Sequence, residues 1–131
     1  MYEYDARVVR VIDGDSVELE LTKCFNVEID FGFRIHEVQQ ILKSFRMCFR
    51  LSKVNTPEIV GAHADERAKG FAAKAELERL CTLGPLTVET FKPNKTGQWL
   101  VEIFVHPHGG EKFSVNDKLL EGGFAEPMLS V

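Results

Sequence analysis

Cysteine is scarce in this 131-residue sequence: Cys24, Cys48 and Cys81 are the only three. Their odd number, wide spacing and lack of a C-x-x-C pair argue against a disulfide framework and against a cysteine zinc site. Free thiols in a reducing compartment are the expectation. The opening Met1-Tyr2-Glu3-Tyr4-Asp5 lacks the basic-then-apolar pattern of a secretory leader. No apolar run approaches the ~20 residues of a membrane span, so a cytoplasmic chain with no membrane partner is expected. Excess positive charge is also missing: 16 Lys and Arg face 20 Asp and Glu, for a net charge of −4. That balance argues against a binder that relies on a basic tail for nucleic acid. It still allows an enzyme that grips an anionic substrate briefly through a local patch and a metal ion. No arginine occurs after Arg79, and the two tyrosines, Tyr2 and Tyr4, both lie at the start.

Hydrophobic residues make up 44% of the chain, with ten phenylalanines spread along it. This is enough for one packed domain spanning residues 1–131. Val8 to Ile12 is apolar-rich and ends at the turn dipeptide Asp13-Gly14. Val17, Leu19 and Leu21 alternate with polar residues, as do Val27 to Ile35 and Phe45 to Leu51, which predicts strands. Between the last two, Val38, Ile41, Leu42 and Phe45 have a spacing that predicts a short helical excursion within His36 to Ser44. Residues 64–82 predict the clearest helix. One stripe there is Ala64, Ala68, Phe71, Ala72 and Ala75; another is Ala73, Leu77, Leu80 and Cys81. Gly84-Pro85 stops it.

Two more strands are predicted at Leu86–Phe91 and Trp99–His106, with Trp99 expected in the core. The loop between them has hairpin composition. Ser114-x-x-Asp117 resembles a capping box for a short final helix, and Gly122-Gly123 supplies its stop. Three strands, a helix, two strands and a short helix match the plan of a five-stranded OB-fold barrel, an α+β arrangement that is mainly β. His106-Pro107-His108 ends a strand beside Gly109-Gly110 and reads as a solvated turn rather than a metal site.

Two segments place polar and acidic side chains at strand–turn junctions, from which a rigid scaffold projects them into solvent. They are Ile12-Asp13-Gly14-Asp15-Ser16-Val17 and Phe49-Arg50-Leu51-Ser52-Lys53-Val54-Asn55-Thr56-Pro57-Glu58. Alone, the first reads as a simple turn, and Arg50 reads as a salt-bridged strand residue. Together they resemble the staphylococcal-nuclease-like (thermonuclease) family. The resemblance continues through Lys69-Gly70-Phe71-Ala72-Ala73-Lys74, Asn94-Lys95-Thr96-Gly97-Gln98-Trp99-Leu100 and Val115 to Ala125, covering most of residues 6–125 in order.

The resemblance implies a Ca²⁺-dependent phosphodiesterase that cleaves DNA or RNA, single strands favoured. It places Asp15, Asn55 and the Thr56 carbonyl at the metal, Glu58 as general base and Arg50 on the phosphate. Oxygen donors of this kind suit a hard cation better than zinc. Arg46, four residues before Arg50 on the same strand face, and the hairpin lysines Lys92 and Lys95 are candidate substrate contacts.

The chain departs from the family pattern in four places. Gln98 stands where the second catalytic arginine belongs, Asn55 where aspartate is common, and Thr96 where tyrosine is common. The stretch 22–44 replaces a short turn, which suggests extended barrel strands. These departures keep open a second reading, a degenerate nuclease-like module that binds nucleic acid or protein. The family's type nuclease continues past this point into a third helix. Either the barrel manages without it, or another surface, such as a second copy in a homodimer, takes its place.

Overall fold

The structure is a computed structural model describing residues 2–30, 32, 36–57, 63–93 and 97–127. Strand β1 (Tyr2–Asp13) turns tightly into β2 (Ser16–Asp30), which pairs along its length with β3 (His36–Leu51). The two-residue β4 (Val54–Asn55) leads toward α1 (Ala64–Leu80). Then come the hairpin β5 (Leu86–Phe91) and β6 (Leu100–Val105), β7 (Phe113–Ser114), α2 (Val115–Glu121) and β8 (Glu126–Pro127). The main sheet runs β3-β2-β1-β5-β6-β7, and β4 pairs separately with β8.

The sheet closes on itself. β3 pairs in parallel with β6 through Arg50–Leu100 and Leu51–Val101, so β1, β2, β3, β5 and β6 form a ring. Closure needs strong curvature, and β1 supplies it with register shifts between Val8 and Arg10 and between Val11 and Asp13. The ring is filled by the inward halves of alternating strands: Val17, Leu19 and Leu21, Phe49 and Leu51, Leu86 and Val88, and Val101, Ile103 and Val105. This is the mainly β, OB-like α+β fold expected from the order of elements.

Of the two apolar stripes on α1, the one with Ala73, Leu77 and Leu80 packs inward, while Phe71 is exposed. Ser114 caps α2 as expected, its Oγ accepting from Asp117 N–H at 3.2 Å. Among the described residues, no helix is long and apolar enough to cross a membrane.

Two expectations fail. The helical excursion at His36–Ser44 is instead the first half of β3, paired without a break from Asp30–His36 to Ser16–Arg50. The helix-like spacing misled because its apolar residues divide between the two faces of a strand. Ile41 and Phe45 share a face, paired with Phe25 and Leu21; Val38 and Leu42 lie on the other. A continuous cross-strand ladder outweighs one weak turn of helical pattern. Trp99, expected in the core, is 41% exposed and precedes β6. Position 99 is in phase with the buried Val101, Ile103 and Val105, but it lies one residue before β6 begins at Leu100, beyond the paired stretch that covers the core face.

One buried polar residue locks these layers together. Asn116, on α2, accepts from Ile103 N–H at 3.1 Å through Oδ1. Its Nδ2 donates to Ser52 O at 3.0 Å and to Val101 O at 3.1 Å. The amide therefore joins α2, β6 and the turn after β3. Replacement by Ala would strand buried backbone groups and should lower unfolding stability by about 2–4 kcal/mol, read by urea denaturation.

The three cysteines are all free; Cys24 and Cys48 are exposed, and Cys81 is half-buried at the C-cap of α1. Burial pushes the Cys81 thiol up to about 12. Thiolate is the reactive form, so at about pH 8 Cys24 and Cys48 should react with a disulfide reagent in the folded protein and Cys81 only after unfolding. The raised value also carries a stability sign. Its contribution is complete below the free thiol's value and is lost as pH rises toward about 12.

Candidate active site

The β1–β2 turn, Gly14-Asp15, and the β3–β4 segment meet at the point of barrel closure. Register carries the two together: Ser16, directly after Asp15, pairs with Arg50. Two backbone bonds pin the junction, from Leu51 N–H to Asp15 O at 2.8 Å and from Arg50 N–H to Trp99 O at 3.0 Å. Gly14 is required by close approach. A Cβ there would sit 2.6 Å from Ala73 Cβ and 2.9 Å from Thr56 Oγ1, so helix, turn and β4 segment touch at this residue. Lys53 adopts the left-handed conformation (φ 65°), turning the chain so that Val54 is buried and Asn55 faces outward.

Asp15 is only 7% exposed, and its carboxylate is fully engaged. Oδ2 accepts from Thr56 N–H at 3.2 Å and lies 3.3 Å from Arg50 Nη2. Oδ1 is 3.4 Å from Ser16 Oγ. The same Arg50 nitrogen donates to Asn55 Oδ1 at 3.1 Å. One cationic nitrogen is thus held between the carboxylate of Asp15 and the amide oxygen of Asn55. Two buried polar atoms at this junction, Arg50 Nε and Thr56 Oγ1, have no hydrogen-bond partner among the described residues. A buried guanidinium nitrogen without a partner is costly, and an anion at that position would satisfy it.

The other candidate residues divide. Gln98 is half-buried and next to Trp99, whose carbonyl takes the Arg50 N–H, so it lies at the same rim. Lys92 is exposed directly after Phe91, which pairs with Leu100 at the base of the hairpin. Glu58 and Lys95, and Thr96 with them, lie outside the described residues.

Arg46 shares the strand but not the cluster. Its Nε binds Glu20 Oε2 at 3.0 Å, and Arg7 approaches the same oxygen at 3.4 Å. The Arg46 hydrogen bond, helped by Arg7, holds the Glu20 carboxyl below its usual range. His106 Nε2 and Thr87 Oγ1 are 2.8 Å apart, which gives that imidazole a local hydrogen-bond partner. No group of three or more His, Cys, Asp and Glu side chains suited to a metal occurs among the described residues.

An open cleft of about 670 Å³ borders the cluster, lined by Asn55, Thr56, Pro57, Lys69 and the segment after α2. A groove of similar size lies elsewhere, between β1 and the end of α1 beside Cys81. Asn116 is a supporting residue that the sequence did not single out. It holds Ser52, three residues before Asn55. Its only signal was an amide beside Val115 in a short helix with a buried face.

Substituting Gly14→Ala tests how tightly the turn is wedged. The added methyl must displace Ala73 or Thr56, so unfolding stability should fall by about 1–3 kcal/mol in thermal or urea denaturation.

Among curated proteins, none matches this sequence. The sequence model of a family described as staphylococcal nuclease homologue matches residues 48–130, beginning just before Arg50 in β3. The matched span covers more than half of the chain, and the closed five-stranded ring with two helices agrees with it. The chain belongs to the staphylococcal nuclease homologue family.

Proposed function

We propose that the chain is a phosphodiesterase acting on nucleic acid, slowed by the presence of Gln98. The observation carrying this reading is Arg50: half-buried beside Asp15, held by Asn55, with its buried Nε unpartnered among the described residues. A guanidinium so held offers a planar donor set to a phosphate, and its charge matches the charge that grows on the non-bridging oxygens during hydrolysis. Glu58, three residues after Asn55 in sequence, is the proposed base that takes the proton of the attacking water. Such general base catalysis contributes about 10²–10⁴-fold.

The donor chemistry fits a hard divalent cation. Asp15 and Asn55 both turn an oxygen to Arg50 Nη2, with no sulfur or imidazole there among the described residues, and a bound cation would take the place of that nitrogen. Asp15, Asn55 and the Thr56 carbonyl would hold Ca²⁺, which when bound would neutralise part of the phosphate charge. With Asn55 in place of a second carboxylate, Asp15 supplies the only full negative charge in this trio, so weak affinity is expected. Single-stranded DNA or RNA is the proposed substrate, with Lys92 and Lys95 along the strand's path.

A second reading has its own observation. Gln98 cannot supply the charge of a second arginine, and removing one preorganised donor costs about 10²–10³ in rate. A domain so impaired could serve as a binding module.

Digestion of single-stranded DNA and RNA with Ca²⁺ and with chelator separates the two readings. Slow, Ca²⁺-dependent cleavage is expected. Glu58→Gln and Arg50→Ala should each reduce it by about 10²-fold or more, and Gln98→Arg should raise it by at least about ten-fold. Cleavage at background level in both conditions, with no gain from Gln98→Arg, would leave the binding module.

A further inference from the structure

The stretch 22–44 builds a two-stranded ribbon that the barrel does not need. Pairing of β1 to β2 ends at Asp5–Thr22, so from Lys23 onward β2 has only β3 as a neighbour among the described residues. β3 meets β6 only at Arg50 and Leu51, leaving its outer edge from His36 to Phe49 without a strand partner among the described residues. The strand is sixteen residues long and contains neither proline nor glycine. Natural sheets normally blunt an edge of this length, and a projecting two-stranded ribbon is only marginally stable in water.

The ribbon is also apolar where it should be wet. Phe25, Val27, Val38, Ile41, Leu42 and Phe45 are all exposed, with Val38 at 65% and Leu42 at 69%. Val38 and Leu42 lie on one face of the ribbon, and Phe25, Val27 and Ile41 on the other, so both faces carry apolar surface beside the open edge.

We infer that the outer edge of β3 pairs antiparallel with the same edge of a second copy, about a twofold axis at Gln40. The sequence of the edge is self-complementary in that register. Val38 falls opposite Leu42 of the second copy and Leu42 opposite its Val38, so the two most exposed apolar positions cover each other. Because Asn26 pairs with Gln40 within the chain, the central row becomes Asn26, Gln40, Gln40 and Asn26, a ladder of amides. On the other face, Phe25 and Ile41 continue into Gln39 and Val27 of the second copy. Moving the axis one residue to Ile41 would set Leu42 against Gln40 and Val38 against Ser44, losing the match. Side-chain pairing is what selects a strand register. The inference does not rest on the phosphodiesterase reading, since the ribbon projects away from Arg50.

The register yields a charge test. Val38→Lys with Leu42→Lys places like charges opposite each other twice across the axis. Val38→Lys with Leu42→Glu places unlike charges there. Sedimentation or light scattering over a dilution series should give twice the chain mass for the native protein. The first double variant should weaken association by about ten-fold or more, and the second should recover it. Both sites are exposed, and circular dichroism with thermal unfolding checks that the barrel is intact. A native protein that stays at single-chain mass at the highest concentration overturns the inference. So does a dimer that responds equally to both variants. Single-chain mass with oligonucleotide retention abolished by Val38→Glu with Leu42→Glu would assign the ribbon to nucleic acid instead.

Discussion

The parallel contact between β3 and β6 is the constraint on which the rest depends. It spans only Arg50 and Leu51, yet it turns an open sheet into a ring. It also fixes where the chemistry can lie. Arg50 has Ser16 on one side and Leu100 on the other, so the β1–β2 turn and the approach to β6 must meet around it. Leu51 has the same two duties: its side chain is fully buried, and its N–H holds the Asp15 carbonyl. Closure and site formation are therefore one event rather than two.

The packing outside the ring reinforces that point. Helix α1 presses Ala73 against Gly14, where larger residues on either side would force the Asp15 turn outward. Helix α2 reaches the same region through Asn116, which bonds Ser52 and Val101 while Ser52 N–H itself bonds Val101 O at 2.8 Å. Small residues and one amide do this because a close, polar junction tolerates neither bulk nor an unpaired backbone group. By contrast, the Arg7–Glu20–Arg46 cluster and the Arg10–Glu18 pair lie on the outer barrel surface, where ion pairs contribute little.

What could be read from the sequence follows from the range of each interaction. Period-two alternation through Val17, Leu19 and Leu21 marked the core face correctly because each inward residue meets the same interior. The capping of α2 by Ser114 was legible because it is local. The extent of β3 was not, because Val38 and Leu42 stay exposed and have no core face to set their phase. Trp99 failed for a different reason: it has the parity of the buried face, but the strand begins one residue later, and where pairing starts has no local signal. The ion pair of Asp15 with Arg50 was not foreseen, since the resemblance put one at a metal and the other on a phosphate; register is what brings them together. The role of Asn116 was hidden, since partners fifteen and sixty-four residues away leave no local pattern.

Charge gives the two departures at the site a common sense. Asn55 stands where the family often has a carboxylate, and Gln98 where it has a guanidinium. Each change alone would unbalance a partly buried cluster, because a lone charge in a low-dielectric setting is costly. Together they remove one negative and one positive charge, leaving Asp15 and Arg50 as an ion pair 3.3 Å apart. A neutral Asn55 still accepts from Arg50 at 3.1 Å, so the guanidinium keeps its orientation while one of its charged competitors is gone. The cost falls on recognition of highly charged species. Under the proposed function, a cation would meet one carboxylate fewer and a phosphate one guanidinium fewer. Among the described residues, the junction therefore keeps its geometry and holds its two remaining charges as one pair.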